Sequence, residues 1–387
     1  MKFYRFMKKA KTLTLTLMTV MVLSLLASCV TVTYGGGGGN AGSGGGNSGG
    51  GEGGSAKPKV GISMSDKTLQ RWKIDGENME KFFKEAGYDV ELKYAENKVD
   101  TQINQIDAMV SSGVQVLVIA PIDAGTLSPT LERAKQNGVT TVISYDRLII
   151  GTDLVDYYVT FDNAKVGSLQ GEYIRDKLDL ENQAGPFNVE LFTGPTSDNN
   201  VNFFFTQGAM KVLQPYIDTG KLVVKSGQVT KEQCATPDWD SNKAQARMET
   251  LISADGYSPN GTPLSAVLSS NDSVAQGVSK ALKDAGYVEN NFPILTGQDA
   301  EVANVKLIID GQQGMTVFKD VRNSAAAVVK MVDEITAGQE VTVNNTTDYD
   351  NGKGIVPAFC ADPVVITKDN YKELLIDSGY YEESQLK

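Results

Sequence analysis

Short apolar runs rich in β-branched residues alternate with amphipathic segments from residue 59 onward. The runs predict strands at residues 59–63, 88–94, 114–120, 140–145, 155–161, 188–192, 221–224, 264–268, 293–296 and 315–318. Apolar spacing of three and four residues predicts helices between them, at 77–86, 103–110, up to 138, 164–178, 200–214, 241–254, 273–285 and 321–337. Such alternation is typical of parallel sheets flanked by helices. More than about ten strands in one open sheet is unusual, so we expect two lobes.

Polar residues follow several predicted strands directly, and ligands of parallel α/β sheets bind beyond the carboxyl ends of strands. These residues are Asp146 and Arg147, Asp198 to Asn200, Asn271 and Asp272, and Gln298 and Asp299. A helix N-cap explains most of them taken singly, and we expect Asp272 to cap the helix that follows it. Their recurrence at successive strand ends favours a binding site for a ligand with many hydroxyl groups, which carboxylates, amides and guanidinium groups recognise.

The two tryptophans, Trp72 and Trp239, lie in different halves of the chain, each among charged or polar neighbours. A pyranose has apolar C–H faces that pack on aromatic rings and hydroxyl groups around its edge. Half-buried packing is the simpler explanation for one isolated tryptophan. Together with the polar strand ends, two such rings predict a cleft that clamps a sugar.

Composition narrows the function. The chain of 387 residues has no histidine, which excludes Ser-His-Asp and Cys-His nucleophile systems and histidine metal sites. Its three cysteines, Cys29, Cys234 and Cys360, have no spacing typical of zinc or redox centres, and pairing of the last two stays open. We therefore expect no metal and no cofactor. Without residues 1–28 the net charge falls from −11 to −16, because they carry five Lys or Arg and no Asp or Glu. We expect no nucleic-acid partner.

The N-terminus has the pattern of a secretion signal. A basic start precedes the apolar residues 13–27, too short a run for a typical membrane span. Residues 26–29, Leu-Ala-Ser-Cys, resemble a bacterial lipobox, so we expect signal cleavage after residue 28 and lipidation of Cys29. An ordinary signal peptide is the alternative. Of residues 35–54, 14 are glycine, which predicts a flexible linker within residues 29–56 and a folded body on the outer face of the membrane.

Residues 57–387 resemble the bacterial solute-binding proteins of sugar ABC transporters, in the ribose, xylose and galactose branch. The closest resemblance is to the multiple-monosaccharide-binding and xylose-binding types. The motifs that carry it stand in family order at residues 77–79, 116–119, 145–147, 160–163, 198–200, 270–272, 296–300, 315–319 and 376–381. Residues 231–238 depart from the family pattern.

The resemblance implies a two-lobed type I periplasmic-binding-protein fold, or Venus flytrap, with three hinge crossings near Asp162, Lys319 and Asp348. Residues 57–162 and 320–348 would form the N-terminal lobe, and residues 163–319 and 349–387 the C-terminal lobe. Arg71 and Trp72 would come from the first strand–helix loop. The implied sugar-binding residues are Arg71, Trp72, Asp146, Arg147, Asp198, Asn200, Trp239, Asn271, Asp299 and Lys319, with the two indoles stacked on opposite sugar faces.

We therefore expect a non-enzymatic, lipid-anchored receptor that presents galactose, glucose, arabinose or xylose to an ABC permease. Two alternatives stay open. A glycoside hydrolase would use paired carboxylates such as Asp146 and Asp299, although the double α/β pattern and the basic residues of the cleft argue against it. A sensory subunit would present bound sugar to a membrane kinase or a chemoreceptor, and the sequence does not distinguish this from import.

Overall fold

The computed structural model describes residues 57–387, and all statements below concern that part of the chain. The predicted signal peptide at 1–28, the lipidation site Cys29 and the glycine-rich linker lie outside the described residues. No helix within residues 57–387 combines the length and apolar character that crossing a bilayer requires.

Twelve strands are present in the described residues. They are β1 (Val60–Met64), β2 (Val90–Tyr94), β3 (Val116–Ile119), β4 (Thr141–Tyr145), β5 (Tyr157–Phe161), β6 (Phe187–Phe192), β7 (Leu222–Val223), β8 (Ala266–Ser269), β9 (Ile294–Leu295), β10 (Thr316–Phe318), β11 (Ala358–Ala361) and β12 (Val364–Ile366). The predicted strands before residue 319 all match one of them. The sequence analysis missed β11 and β12, which are only four and three residues long.

The main helices alternate with these strands. They are α1 (Gln70–Glu85), α2 (Val99–Ser111), α3 (Ser128–Gln136), α4 (Asn163–Lys177), α5 (Asn200–Asn202), α6 (Met210–Asp218), α7 (Ser241–Asp255), α8 (Asp272–Asp284), α9 (Val302–Ile309) and α10 (Val321–Thr336). A π-helical segment, Phe203–Ala209, joins α5 to α6. Helix α1 begins about two turns earlier than the predicted 77–86, so Arg71 and Trp72 lie in its first turn. The prediction that they lie in the strand–helix loop is wrong.

Each lobe is built on its own sheet. The first is parallel throughout, in the order β11-β5-β4-β3-β1-β2, and the second is parallel in the order β7-β6-β8-β9. An isolated bridge between Gln298 and Val317 continues the second sheet to β10, which pairs antiparallel with β12. Burial on both faces explains the continuous apolar run of β3. Strand β4 is also buried along its whole length, although it includes Thr141 and Ser144.

The chain passes between the lobes three times. It leaves the first sheet after β5 and enters α4, which packs on the π-helical segment and α6. It returns after β10 into α10, which packs on α1. The third position, predicted near Asp348, is wrong: β11 pairs with β5 of the first sheet, so residues 349–361 belong to the first lobe, and the chain crosses between β11 and β12.

Two glycines let the second lobe pack tightly beside the cleft. A Cβ on Gly167 of α4 would lie 1.9 Å from the carbonyl oxygen of Phe204, and one on Gly208 would lie 2.4 Å from that of Ala164. Neither space admits a side chain, so α4 and the π-helical segment approach backbone to backbone. This contact fixes the residues immediately before the π-helical segment, which face the first lobe.

Candidate functional site

All ten residues predicted from the sequence line one cavity between the lobes. Its remaining lining residues are Leu69, Asn163, Val201, Phe204, Ser270 and Gln298. The first lobe contributes the side chains that begin α1 and follow β4. The second lobe contributes those that follow β6, β8, β9 and β10, together with Trp239 from the segment before α7. Both indoles border this same space, and whether they stack on opposite faces of a ligand stays a prediction.

The first-lobe wall is organised around Arg71. Its Nε donates to Asp75 Oδ2 at 3.0 Å, and its Nη2 donates to Asp146 Oδ1. Asp75 is fully buried and also accepts a hydrogen bond from the Tyr145 hydroxyl, which lies 2.8 Å from Ser324 Oγ. The sequence analysis missed Asp75, because the predicted helix began at residue 77 and so did not place Arg71 and Asp75 four residues apart on one helix.

Burial and charge act in opposite directions on the two carboxyl groups that hold Arg71. Burial alone would raise the pKa of Asp146, but the positive charges of Arg71, Lys319 and Arg147 outweigh it and lower that pKa. For Asp75 burial dominates, and its pKa rises to about 6 despite the neighbouring Arg71. Asp146 is therefore an ionised acceptor at neutral pH.

Trp72 supports the two arginines of this wall. The guanidinium carbons of Arg71 and Arg147 lie 4.8 Å and 5.1 Å from the centroid of its ring, within cation–π distance. Only 3% of Trp72 is exposed, and its ring belongs to the first-lobe core. It both packs in the core and borders the cavity, so the simpler packing explanation holds in part.

Trp239 is held by its backbone in a different way. It and Asp238 have φ angles of 57° and 59°, a left-handed conformation that non-glycine residues adopt at a cost of roughly 1–2 kcal/mol each. Its ring rests on Gly194, where a Cβ would lie 2.1 Å from ring carbon Cη2. The carbonyl of Trp239 accepts a hydrogen bond from Ser273 Oγ at 2.8 Å, while its buried Nε1 has no hydrogen-bond partner among the described residues.

Asp299 and Lys319 complete the second-lobe wall. Lys319 Nζ lies 3.1 Å from Asp299 Oδ1, and Arg71 Nη1 lies 3.9 Å from the same oxygen. That oxygen and Ser270 Oγ are buried yet make no hydrogen bond of good geometry within the described residues. With Trp239 Nε1, the cavity thus presents a carboxylate oxygen, a hydroxyl and an indole N–H that can bond a ligand.

The N-cap expected at Asp272 is wrong. Asn271 caps α8, with its Oδ1 accepting from Val274 N at 3.0 Å, so its amide nitrogen is the polar atom left to face the cavity. Asp272 is fully buried and accepts instead from Thr316 Oγ1 at 2.9 Å and Glu301 N at 2.8 Å. Burial, with Glu301 and Asp299 nearby, raises its pKa well above its usual range.

Asp198 and Asn200 lie where the two walls meet. Asp198 Oδ2 is 2.9 Å from Arg147 Nε, and Asn200 Nδ2 donates to the carbonyl oxygen of Asp146 at 2.6 Å. Both interactions join the lobes directly. A second amide hydrogen of Asn200 remains available to a ligand.

The sequence analysis named Gln298 among the polar strand ends, but the predicted sugar-binding set included neither Gln298 nor Asn163, Ser270 and the apolar lining residues. Asn163, Ser270 and Gln298 stood in motifs that supported the resemblance, and this was a usable signal. Phe204 lies in an apolar run whose exposure to a cavity no local pattern indicates. Cys234 and Cys360 are both free thiols, one in the second lobe and one in β11 of the first.

Comparison with known proteins adds independent findings. The model of the periplasmic binding protein domain matches residues 60–340. The multiple sugar-binding periplasmic protein SbpA of Azospirillum brasilense is 50% identical over 333 residues, which cover 86% of this chain and 92% of SbpA. The D-xylose-binding periplasmic protein of Escherichia coli K12 is 35% identical over 328 residues, which cover 85% of this chain and 92% of that protein.

A solved structure resembles the fold closely. An ABC transporter solute-binding protein from Clostridium phytofermentans, crystallised with bound β-D-glucose, matches with a TM-score of 0.81 and 54% sequence identity. The match covers 85% of this chain and 99% of that one. The shared architecture therefore extends over nearly all the described residues.

Proposed function

Because the chain belongs to the periplasmic binding protein family, we propose that it binds an aldose monosaccharide between its two lobes and delivers it to an ABC importer. The observation that carries the proposal is the single cavity bordered by two indoles, three carboxylates and three basic side chains. Indoles suit the C–H faces of a pyranose, and the polar groups suit its hydroxyls.

The charge of the cavity favours a neutral sugar. Lys319 pairs with Asp299, Arg147 with Asp198, and Arg71 with Asp146. Each cation can still donate to a hydroxyl oxygen while its carboxylate partner accepts from a hydroxyl hydrogen. The names of the relatives, which specify multiple sugars and D-xylose, and the β-D-glucose bound to the structural neighbour support this ligand class.

Closure of the lobes would couple binding to delivery. A sugar that touches both walls does so only when the lobes are shut, so its differential contacts favour the closed arrangement. Two aromatic contacts and several charge-assisted hydrogen bonds make a Kd of about 1 μM or lower reasonable, on the order of −8 kcal/mol. The closed shape would then dock on the permease.

The proposal includes a lipid anchor at Cys29 on the outer face of the cell membrane. The basic and apolar start of the chain, the Leu-Ala-Ser-Cys sequence and the glycine-rich segment support it. Cells that express the full chain should incorporate labelled fatty acid into it, and Cys29→Ser should abolish the incorporation. Equal labelling of the two proteins would contradict the anchor.

The decisive experiment is titration calorimetry with glucose, galactose, xylose and arabinose. We expect at least one sugar to bind, and we expect Trp239→Ala and Asp146→Ala each to weaken binding at least tenfold. Asp284→Asn, which alters an exposed ion pair with Lys280, is the control and should change nothing. Unchanged affinity in both cavity variants would contradict the site, and turnover of aryl glycosides at the rate of a hydrolase would contradict the function.

A further inference from the structure

A short second-lobe segment touches the first lobe beside the cavity. We call residues 198–203 the clasp; they run from the end of the loop after β6 into the start of the π-helical segment. The clasp lies against the turn after β4, residues 146–148, and against Tyr158 and Tyr349. These contacts are made by protein groups alone and need no ligand.

Polar contacts form the first part of the clasp. Asn200 Nδ2 donates to the Asp146 carbonyl oxygen at 2.6 Å. The Tyr158 hydroxyl shares its one hydrogen between that same carbonyl oxygen, at 2.5 Å, and Asn200 Oδ1, at 3.2 Å. Asn199 Nδ2 lies 3.4 Å from the Leu148 carbonyl oxygen, a longer bond. Tyr158 is fully buried and is not among the residues that line the cavity. Its hydroxyl therefore contacts Asp146 of the first lobe and Asn200 of the second, and it does not reach a ligand in the cavity.

Apolar packing forms the second part. Phe203 packs against the first-lobe core, with its ring centroid 5.3 Å from that of Tyr349, which in turn contacts Tyr158 at 5.0 Å. The next two residues, Phe204 and Phe205, pack in the second-lobe core, and Phe204 also borders the cavity. The chain thus inserts one ring into one lobe and the following two into the other.

We propose that the clasp favours the closed arrangement by its own contacts and so raises the affinity for every ligand by the same factor. The inference rests on the proposed function. An apparent Kd equals the intrinsic Kd divided by the fraction of protein in the binding-competent state, whichever ligand is present. Cavity residues instead touch particular hydroxyl groups, so their variants change the ratios between sugars.

The test uses variants outside the cavity. Tyr158→Phe removes the hydroxyl and keeps the ring, while Phe203→Leu removes the ring contact with Tyr349 and keeps an apolar side chain. Each should raise the Kd of glucose, galactose, xylose and arabinose about 3- to 10-fold, the effect of a lost hydrogen bond or aromatic contact, with the ratios between sugars unchanged. Thermal unfolding checks that both variants fold.

The matched control is Tyr257→Phe. The Tyr257 hydroxyl is also buried and donates to Glu190 Oε1 at 2.8 Å, but both residues belong to the second lobe. This variant should lower the melting temperature and leave every Kd at the wild-type value. An equal rise of Kd in Tyr257→Phe and Tyr158→Phe would mean that general stability, and not the clasp, sets affinity.

Small-angle X-ray scattering of the sugar-free protein separates this inference from the proposed function. The radius of gyration of sugar-free Tyr158→Phe/Phe203→Leu should exceed that of the sugar-free wild type, because fewer molecules are closed. Unchanged Kd values together with an identical radius, or a Kd change confined to one sugar, would overturn the clasp while leaving sugar binding intact. If no sugar binds the wild type, the proposed function fails and the scattering comparison alone still decides the clasp.

Discussion

The two walls of the cavity are held in place by different means. On the first-lobe wall Arg71 and Trp72 stand on a regular helix, and buried ion pairs with Asp75 and Asp146 orient the guanidinium. On the second-lobe wall most of the side chains stand on loops, while Asn200 begins α5. Four non-glycine residues there have positive φ: Asp238, Trp239, Asp299 and Ala300. The first-lobe wall has one such residue, Asp146, and the second-lobe wall has an ion pair of its own, between Lys319 and Asp299. Charge pairing on a helix therefore predominates in the first wall and loop conformation in the second, so we expect the two walls to be sensitive to different substitutions.

The largest effect on the first-lobe wall is expected from Arg71→Met. The substitution leaves Asp75 and Asp146 buried without their cation, which should cost about 3–5 kcal/mol of unfolding free energy. The Kd for sugar should rise about 100-fold. Urea denaturation and calorimetry measure the two quantities.

Arg133→Met is the matched control for that prediction. Arg133 makes an ion pair with Asp107 at 2.8 Å, but both side chains are more than 40% exposed. An exposed pair contributes about 0–1 kcal/mol, so both quantities should stay near wild type. If Arg71→Met changed the unfolding free energy and the Kd as little as Arg133→Met does, charge pairing would not organise the first-lobe wall.

On the second-lobe wall, we expect the addition of a single methyl group at residue 194 to weaken sugar binding. Gly194→Ala places a Cβ 2.1 Å from the Trp239 ring, so the indole must move away from the cavity. We expect the Kd to rise about tenfold, close to the effect of Trp239→Ala. Gly125→Ala, where the nearest atom is 3.6 Å away, should leave binding unchanged. A crystal structure of Gly194→Ala with an undisplaced indole and normal affinity would contradict the assignment.

Fluorescence can report on the two walls separately, since Trp72 and Trp239 are the only tryptophans of the chain. Two guanidinium groups already cover Trp72, whereas Trp239 Nε1 is unpaired among the described residues. Sugar should therefore change the emission of Trp239 more. Trp72→Phe should keep most of the sugar-induced fluorescence change and Trp239→Phe should lose most of it, with Kd values raised about 3- to 10-fold. The reverse pattern would assign the ligand contact to Trp72.

The smallest expected effect concerns pH. Burial and the neighbouring Asp299 raise the pKa of Glu301, beside the second-lobe wall, to about 7. A carboxyl group with a higher pKa in the folded state binds more protons folded than unfolded, so its contribution lowers the unfolding free energy as pH rises from its usual value near 4.5 to about 7. The lowered pKa of Asp146 acts only below its usual value of 3.8, outside this window.

Glu301→Gln should reduce that dependence in chemical denaturation at pH 5 to 7 and leave the part that comes from Asp75, whose pKa is raised to about 6. Glu232→Gln changes an exposed carboxylate and should leave the slope as in the wild type. A wild-type stability that rises with pH across the whole window would show that other groups dominate it.

The order of apolar and polar residues along the chain was sufficient to predict most of the strands and much of the candidate site. Apolar runs and helical spacing predicted every strand before residue 319, because the period of a half-buried helix or a buried strand is local. The polar strand ends gave Asp146, Arg147, Asp198 and Asp299, since parallel strands bring their carboxyl ends to one edge. The resemblance then added residues such as Lys319 that no local rule selects.

Tertiary structure decided the rest. Whether a carboxylate caps a helix or binds elsewhere depends on partners far along the chain, and Asp272 turned to Thr316 and Glu301 while Asn271 took the cap. The β11 strand joined the first sheet through β5, some 200 residues earlier, so no local signal placed the third crossing. Periodicity and composition are carried by neighbouring residues, whereas charge pairing, close packing and the clasp depend on which distant segments meet.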